Sequence, residues 1–323
     1  MQLIMKSIPM NMKVYIKLGL AILISLSSVR GYAQQDPMIS QYMFNGLFLN
    51  PAYAGSHDYS IASMLYRYQW AGIEGAPHTG FFSYDAPIRG KNVGIGATLM
   101  FDRIGVTNKI DLVGNYSYHI RLSKKTKLSI GLRTSISYYW ANVSELRYWD
   151  QSDPIFQSDI AGRVIPNFGL GLYYYGERFY AGIVAPQFLS YDANTFLAIE
   201  NDYFQRNTRH FYLNAGYVFK LGKNTDFRPS FLLKFTPEAP PEADINVHFL
   251  FHKKFWVGAS YRTLDGIVAM FEVNVTPNMR LGYAFDYPLH TWVRNYTYGT
   301  HEIMLSFDIG KPDMLKIKSP RYF

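Results

Sequence analysis

Eight histidines and no cysteine bound the chemistry open to this chain. Without Cys there is no disulfide framework, thiolate metal site or thiol nucleophile. His248 and His252 stand four residues apart, a spacing that would grip a metal ion from one face of a helix. They lie instead in a segment that alternates polar and apolar residues. Four extended residues at about 3.3 Å each place the two rings about 13 Å apart on one strand face, too far for one ion. His301-Glu302 lacks the second His of a zinc hydrolase signature. For acyl transfer, His119 is the candidate base among many serines, yet no motif fixes a nucleophile beside it. Gly94/Gly96 and Gly169/Gly171 are Gly-x-Gly pairs inside strand-like segments with no helix after them, so they are not phosphate loops. They are expected to make room for bulky neighbours. No catalytic, metal-ligating or cofactor-binding residue is assigned, and no cofactor is expected.

The elements that must carry these residues share one period. Residues 127–140 set Leu128, Ile130, Leu132, Ile136, Tyr138 and Trp140 against Lys127, Ser129, Gly131, Arg133, Ser135 and Ser137. Residues 280–287 and 302–309 alternate in the same way. Such segments are strands with one wet and one apolar face. About fourteen of them follow one another from 58–69 to 298–309, most about 9–13 residues long, the length of a tilted outer-membrane strand. Every second connection is tight: 88–90, 122–125, 175–177, 221–225, 253 and 276–278. The others include the long stretches 141–164, 188–208 and 288–297, with short exceptions at 236–242 and 263–266. Short periplasmic turns and long outer loops are the habit of outer-membrane barrels. The predicted fold is all-β: a transmembrane antiparallel β-barrel of about 14 strands over residues 58–310. Its polar faces carry Arg67, Arg121, Arg133, Arg228, Lys234, Arg262 and Arg280, with Asp85, Asp102, Asp111, Glu272 and Asp286. Mixed charges of this kind can cross-link into a filled lumen, the favoured reading, or line a water channel. His248, His252, His301 and Glu302 read as polar groups of the lumen or rim.

Composition agrees. Aromatic residues make up 17% of the 323-residue chain and charged residues also 17%, against roughly 25% charged in soluble domains. Tyr and Trp in such numbers suit the two interfacial girdles of a barrel. The formal charge of +8 is concentrated at the ends. Residues 1–33 hold Lys6, Lys13, Lys17 and Arg30 and no acid, and read as a signal peptide with apolar Leu18–Val29 and cleavage after Ala33. Residues 311–323 form a basic periplasmic tail. The nearly neutral body offers no basic stripe for nucleic acid.

Between signal and first strand lies the segment 34–57, rich in aromatics and amides. It does not alternate, and its Tyr42, Phe44, Phe48 and Tyr53 are not those of a disordered leader. It is expected to pack in or on the barrel as a plug-like segment, with a short helix over 38–47 and a turn at Asn50-Pro51. Gln41, Tyr42, Phe44, Asn45, Asn50, Pro51 and Tyr53 are the candidate plug or partner-binding residues. The buried amides are expected to find partners in the Arg- and Asp-rich lumen.

Ser40-Gln41-Tyr42-Met43-Phe44-Asn45, Asn50-Pro51-Ala52-Tyr53-Ala54-Gly55 and Arg67-Tyr68-Gln69-Trp70 stand out as motifs. So do Gly75-Ala76-Pro77-His78-Thr79, Asp85-Ala86-Pro87-Ile88, Asp102-Arg103-Ile104-Gly105 and the strand His301–Phe307. Through them the chain resembles the PorP/SprF family of the type IX secretion system. The resemblance implies a Gram-negative outer-membrane barrel, embedded in outer-membrane lipid, that works with the secretion machinery and periplasmic envelope partners. It also implies service to secreted surface proteins, such as the adhesins of gliding cells. It brings no catalytic residues. The expected function is a non-enzymatic secretion or surface-anchoring component. The alternative is an outer-membrane transporter or porin for small or hydrophobic solutes, and a hydrolase using His119 stands third.

Overall fold

Alternation along the sequence becomes alternation of exposure. Over Lys127–Ala141, Ile130, Leu132 and Ile136 are exposed, while Ser129, Gly131 and Ser137 are buried. The computed structural model describes residues 37–145, 159–189, 209–237 and 239–310. The signal peptide with its Ala33 cleavage, residues 34–36 and the basic tail 311–323 lie outside the described residues.

The strands are β1 (Ser60–Tyr68), β2 (His78–Ile88), β3 (Val93–Ile104), β4 (Thr107–Arg121) and β5 (Lys127–Ala141). Then come β6 (Ile160–Tyr175), β7 (Phe179–Ala185), β8 (Phe211–Tyr217), β9 (Phe219–Lys220) and β10 (Thr225–Thr236). The last are β11 (Ala239–Phe251), β12 (Phe255–Arg262), β13 (Gly266–Thr276), β14 (Met279–Pro288) and β15 (Thr300–Ile309). Each pairs antiparallel with its neighbours, and β1 closes on β15 from Ser60↔Ile309 to Tyr68↔His301. The short β9 continues β8, because Ser230↔Gly216 and Phe227↔Phe219 keep one register against β10. The wall is therefore a closed barrel of fourteen strands and one extra short piece, with no open edge for lipid to meet.

The outer face is apolar across its middle. Leu112, Ile136, Ile183 and Ile245 lie exposed along its middle. Tyr118, Tyr174, Phe219, Phe251 and Phe255 ring one end, and Tyr66, Tyr138, Phe235, Tyr261 and Tyr287 the other. An exposed apolar band between two aromatic girdles is stable only in a bilayer. Among the described residues no helix is long and apolar enough to cross a membrane.

Three expectations need correction. First, β3 and β4 extend until only Gly105-Val106 separates them, a third short connection at the loop end; Gly105, at φ 57°, makes that turn. Second, His252 is not on the strand face of His248. It has left β11 and sits exposed in a turn at φ 52°, while His248 points into the barrel. Third, no continuous helix covers 38–47. Tyr42–Phe44, Gly46–Leu49 and Pro51–Tyr53 are three single turns, broken where Asn45 and Asn50 take extended φ of −139° and −132°. Each of those Asn side chains bonds the barrel instead of continuing a helix.

Candidate functional site

The segment from Pro37 to His57 fills the barrel from one end to the other. It starts near the loop end, where Ser40 meets Arg67, Arg262, Asp286 and Glu302. It ends near the termini, where Ala54 and Gly55 meet Ser117 and Asp85. Its beginning thus lies inside the lumen, across the barrel from the strand termini.

A ladder of charges holds its upper part. Lys234 pairs with Asp244 at 3.2 Å, Asp244 with Arg262 at 3.5 Å, and Arg262 with Asp286 at 3.2 Å. Asp286 pairs with Arg67 at 2.8 Å and Arg67 with Glu302 at 3.1 Å. Charges so deeply placed are tolerated only when paired and hydrogen-bonded. The Ser40 hydroxyl is the node of this ladder. It donates to Asp286 Oδ2 at 2.6 Å and accepts from Arg67 Nη1 at 2.8 Å and Arg262 Nη2 at 2.9 Å. Glu302 takes the backbone N–H groups of Ser40 and Gln41, each at 2.8 Å. Glu302→Gln is expected to lower stability by about 2–4 kcal/mol, since it turns an amide donor toward these N–H groups and strips Arg67 of a counter-charge. Thermal unfolding of the purified barrel in detergent checks the loss.

The sequence-chosen residues all lie on this segment, and all seven are buried. The Gln41 amide donates to the Glu302 carbonyl at 3.4 Å, and Gly282 leaves room for its side chain. The Tyr42 hydroxyl accepts from Asn246 at 2.8 Å. Phe44 packs edge-on against His248 and Trp256, at centroid distances of 5.5 and 6.0 Å. Arg228 donates to the Met43 carbonyl at 2.8 Å. Asn45 donates to Ser83 Oγ at 2.8 Å. Asn50 donates to the Leu172 carbonyl and accepts from the Ala52 N–H, both at 2.9 Å. Pro51 opens the last turn, and Tyr53 packs edge-on against Tyr173 at 5.7 Å. The three amides therefore bind hydroxyls and carbonyls rather than Arg and Asp. Where the lumen charges touch the segment, they reach Ser40 and backbone groups, a convergence the sequence does not announce.

The Gly-x-Gly residues make the room expected of them, more for backbone than for bulky side chains. A Cβ on Gly94 would strike the Ala54 carbonyl and one on Gly171 the Asn50 side chain; Gly131, outside the two pairs, makes room likewise for the backbone of Pro51-Ala52. Gly96 takes Leu47, whereas Gly169 receives the Pro186 carbonyl. Ser117 and His119 lie 3.1 Å apart, and Ser117 donates to the Ala54 carbonyl at 2.6 Å. The Tyr175 hydroxyl lies 3.1 Å from His119 Nδ1. Ser117 is wholly buried under the plug. His301 turns outward to the Tyr283 hydroxyl while its neighbour Glu302 points inward. Among the described residues no three His, Asp or Glu cluster as metal ligands would.

Beside the segment remains a cavity of about 60 Å³, lined by Met38, Lys109, Asp111, Arg133 and Ser135. The arrangement holds a bonded internal segment within the barrel.

The chain shows similarity to known proteins at two levels. In fold it is similar to the toluene transporter TbuX of Ralstonia pickettii, with a TM-score of 0.52 and 8% identity over 82% of this chain and 92% of that one. A FadL homologue of Pseudomonas aeruginosa aligns with a TM-score of 0.46 and 12% identity, over 86% of this chain and 96% of that one. At such identities the likeness to TbuX concerns the barrel alone. No curated protein matches the chain. A family model described as type IX secretion system membrane protein PorP/SprF matches residues 31–307. That match runs from ahead of the internal segment into the closing strand β15, and the chain belongs to the PorP/SprF family of type IX secretion system membrane proteins.

Proposed function

We propose that this outer-membrane component of the type IX secretion system is a non-enzymatic scaffold that supports secretion or surface anchoring of partner proteins such as adhesins. The observation that carries the reading is the lumen. It is occupied along its length by the segment 37–57, bonded to β1, β2, β4, β6, β10, β11, β14 and β15. A barrel built around its own chain presents surfaces and loops more readily than a conduit. The periplasmic envelope partners and the secretion machinery engage those surfaces, and the segment holds them in shape. The buried Ser117, capped by the Ala54 carbonyl, supports a structural role for the Ser117–His119 pair.

The transporter reading has one observation in its favour: the wall is shaped like that of TbuX, whose name is that of a toluene transporter. Deletion of residues 36–50 separates the two readings in cells. With the barrel present at wild-type level in the outer membrane, secretion of the cognate surface protein and co-purification of envelope partners are expected to fall to background. Normal secretion and retained partners, with altered uptake of a hydrophobic solute, would overturn the scaffold reading.

A further inference from the structure

The outer wall carries a groove that the scaffold role does not use. On the lipid side of β1, β2 and β3, paired residues form rows. Met64, Phe82 and Leu99 make one row, Tyr66, Gly80 and Phe101 the next, and Tyr68, His78 and Arg103 the row nearest the loops. The missing side chain at Gly80 leaves a slot between two exposed aromatics, Tyr66 and Phe101. Residues Gly75-Ala76 and Gly105 roof it, tied together by the Gly105 N–H donating to the Gly75 carbonyl at 2.9 Å. The groove, open toward the lipid, has a volume of about 570 Å³, within the range of ligand pockets.

The slot is apolar below and cationic above. Arg103 is exposed on the outward face, its Nε donating to the Gly105 carbonyl at 3.4 Å, and among the described residues no carboxylate pairs with it. His78 stacks on Tyr68 at 4.4 Å and bonds the Tyr66 hydroxyl through Nδ1 at 2.7 Å. With the phenol donating, Nε2 carries the ring proton and is a further donor. The polar edge continues along the neighbouring wall in two more Tyr–His pairs, Tyr283 with His301 at 2.7 Å and Tyr261 with His290 at 3.2 Å. A cation and ring donors above an acyl-sized slot, at the aromatic girdle of a lipid-facing wall, complement one ligand chemistry. The chain of that ligand lies in hydrocarbon, and its anionic head meets a guanidinium.

We infer that the groove at Gly80 binds a membrane lipid with a phosphomonoester headgroup, its acyl chain between Tyr66 and Phe101 and its phosphate on Arg103 and His78. The site stands independently of the secretion role, because it depends only on the barrel lying in the membrane. Native mass spectrometry of the detergent-purified full-length protein tests it, with dioleoyl phosphatidic acid and zwitterionic dioleoyl phosphatidylcholine as probes. Phosphatidic acid is expected to bind about tenfold more tightly than phosphatidylcholine, the scale of one charge-assisted contact. Arg103→Gln should remove that preference. Gly80→Leu should weaken both lipids by filling the slot, and it is compatible with folding because a Cβ there meets nothing within 4 Å. Lys91→Gln, an exposed cation in the β2–β3 turn, should change nothing. Equal binding of the two lipids by the wild type, or equal losses in Arg103→Gln and Lys91→Gln, would overturn the site.

Discussion

Removing residues 36–50 is expected to turn a closed barrel into a conducting one. All fourteen strand positions remain, and the seam Arg67↔Glu302 still pairs in register, so closure does not depend on the segment. What disappears is the filling. Ile39, Leu47 and Leu49 are almost wholly buried, and each contributes about 1.5–3 kcal/mol by leaving water. Without them the polar lumen of Arg67, Arg228, Arg262, Asp286 and Glu302 hydrates. Its charges exchange protein partners for water, so the barrel survives while its stability falls. A hydrated lumen lined by both signs of charge passes small ions, as wide barrels do.

Leu132→Arg is expected to be the most damaging single substitution on β5. Leu132 is exposed near the middle of the lipid face, where a cation costs about 2–4 kcal/mol. Ser135→Arg is the informative partner. Ser135 faces inward on the same strand and lines the cavity beside Met38, Lys109 and Asp111. Asp111 lies nearby but already pairs with Lys109 at 3.1 Å, and Arg133 lines the same cavity, so the cost should be about 1–2 kcal/mol, below that of Leu132→Arg. Heat-modifiable gel mobility and urea unfolding in liposomes report both. Equal defects would contradict the assignment of faces.

The wall was legible because its signal is local. Alternation over 127–140 or 280–287 fixes which residues share a face without knowledge of the partner strand, and lipid against a wet lumen keeps that alternation clean. The interruption at Val218 between β8 and β9 does not disturb it, since register carries through. The interior was legible only in outline. Aromatics outside the strand pattern foretold burial of Tyr42, Phe44 and Tyr53, and the family motif marked the same stretch. Partner identities were not legible. Ser40 meets Glu302 across 262 residues of sequence, and such a contact depends on closure of the whole barrel. The expected helix over 38–47 failed for a related reason. Asn45 and Asn50 leave helical backbone to place their amides on Ser83 and the Leu172 carbonyl, and those bonds outweigh a single turn of helix. The slot at Gly80 gave no sign at all, because a strand glycine beside two aromatics becomes a groove only once the registers of β1, β2 and β3 are known.

The chain's own N-terminal segment occupies the lumen. Conductance of the purified full-length protein in planar bilayers tests it most directly, alongside the protein lacking residues 36–50. The full-length barrel is predicted to remain closed, and the shortened one to show steady ion-conducting steps in barrels whose heat-modifiable mobility proves them folded. Steady conduction by the full-length protein at the level of the shortened one would contradict the account.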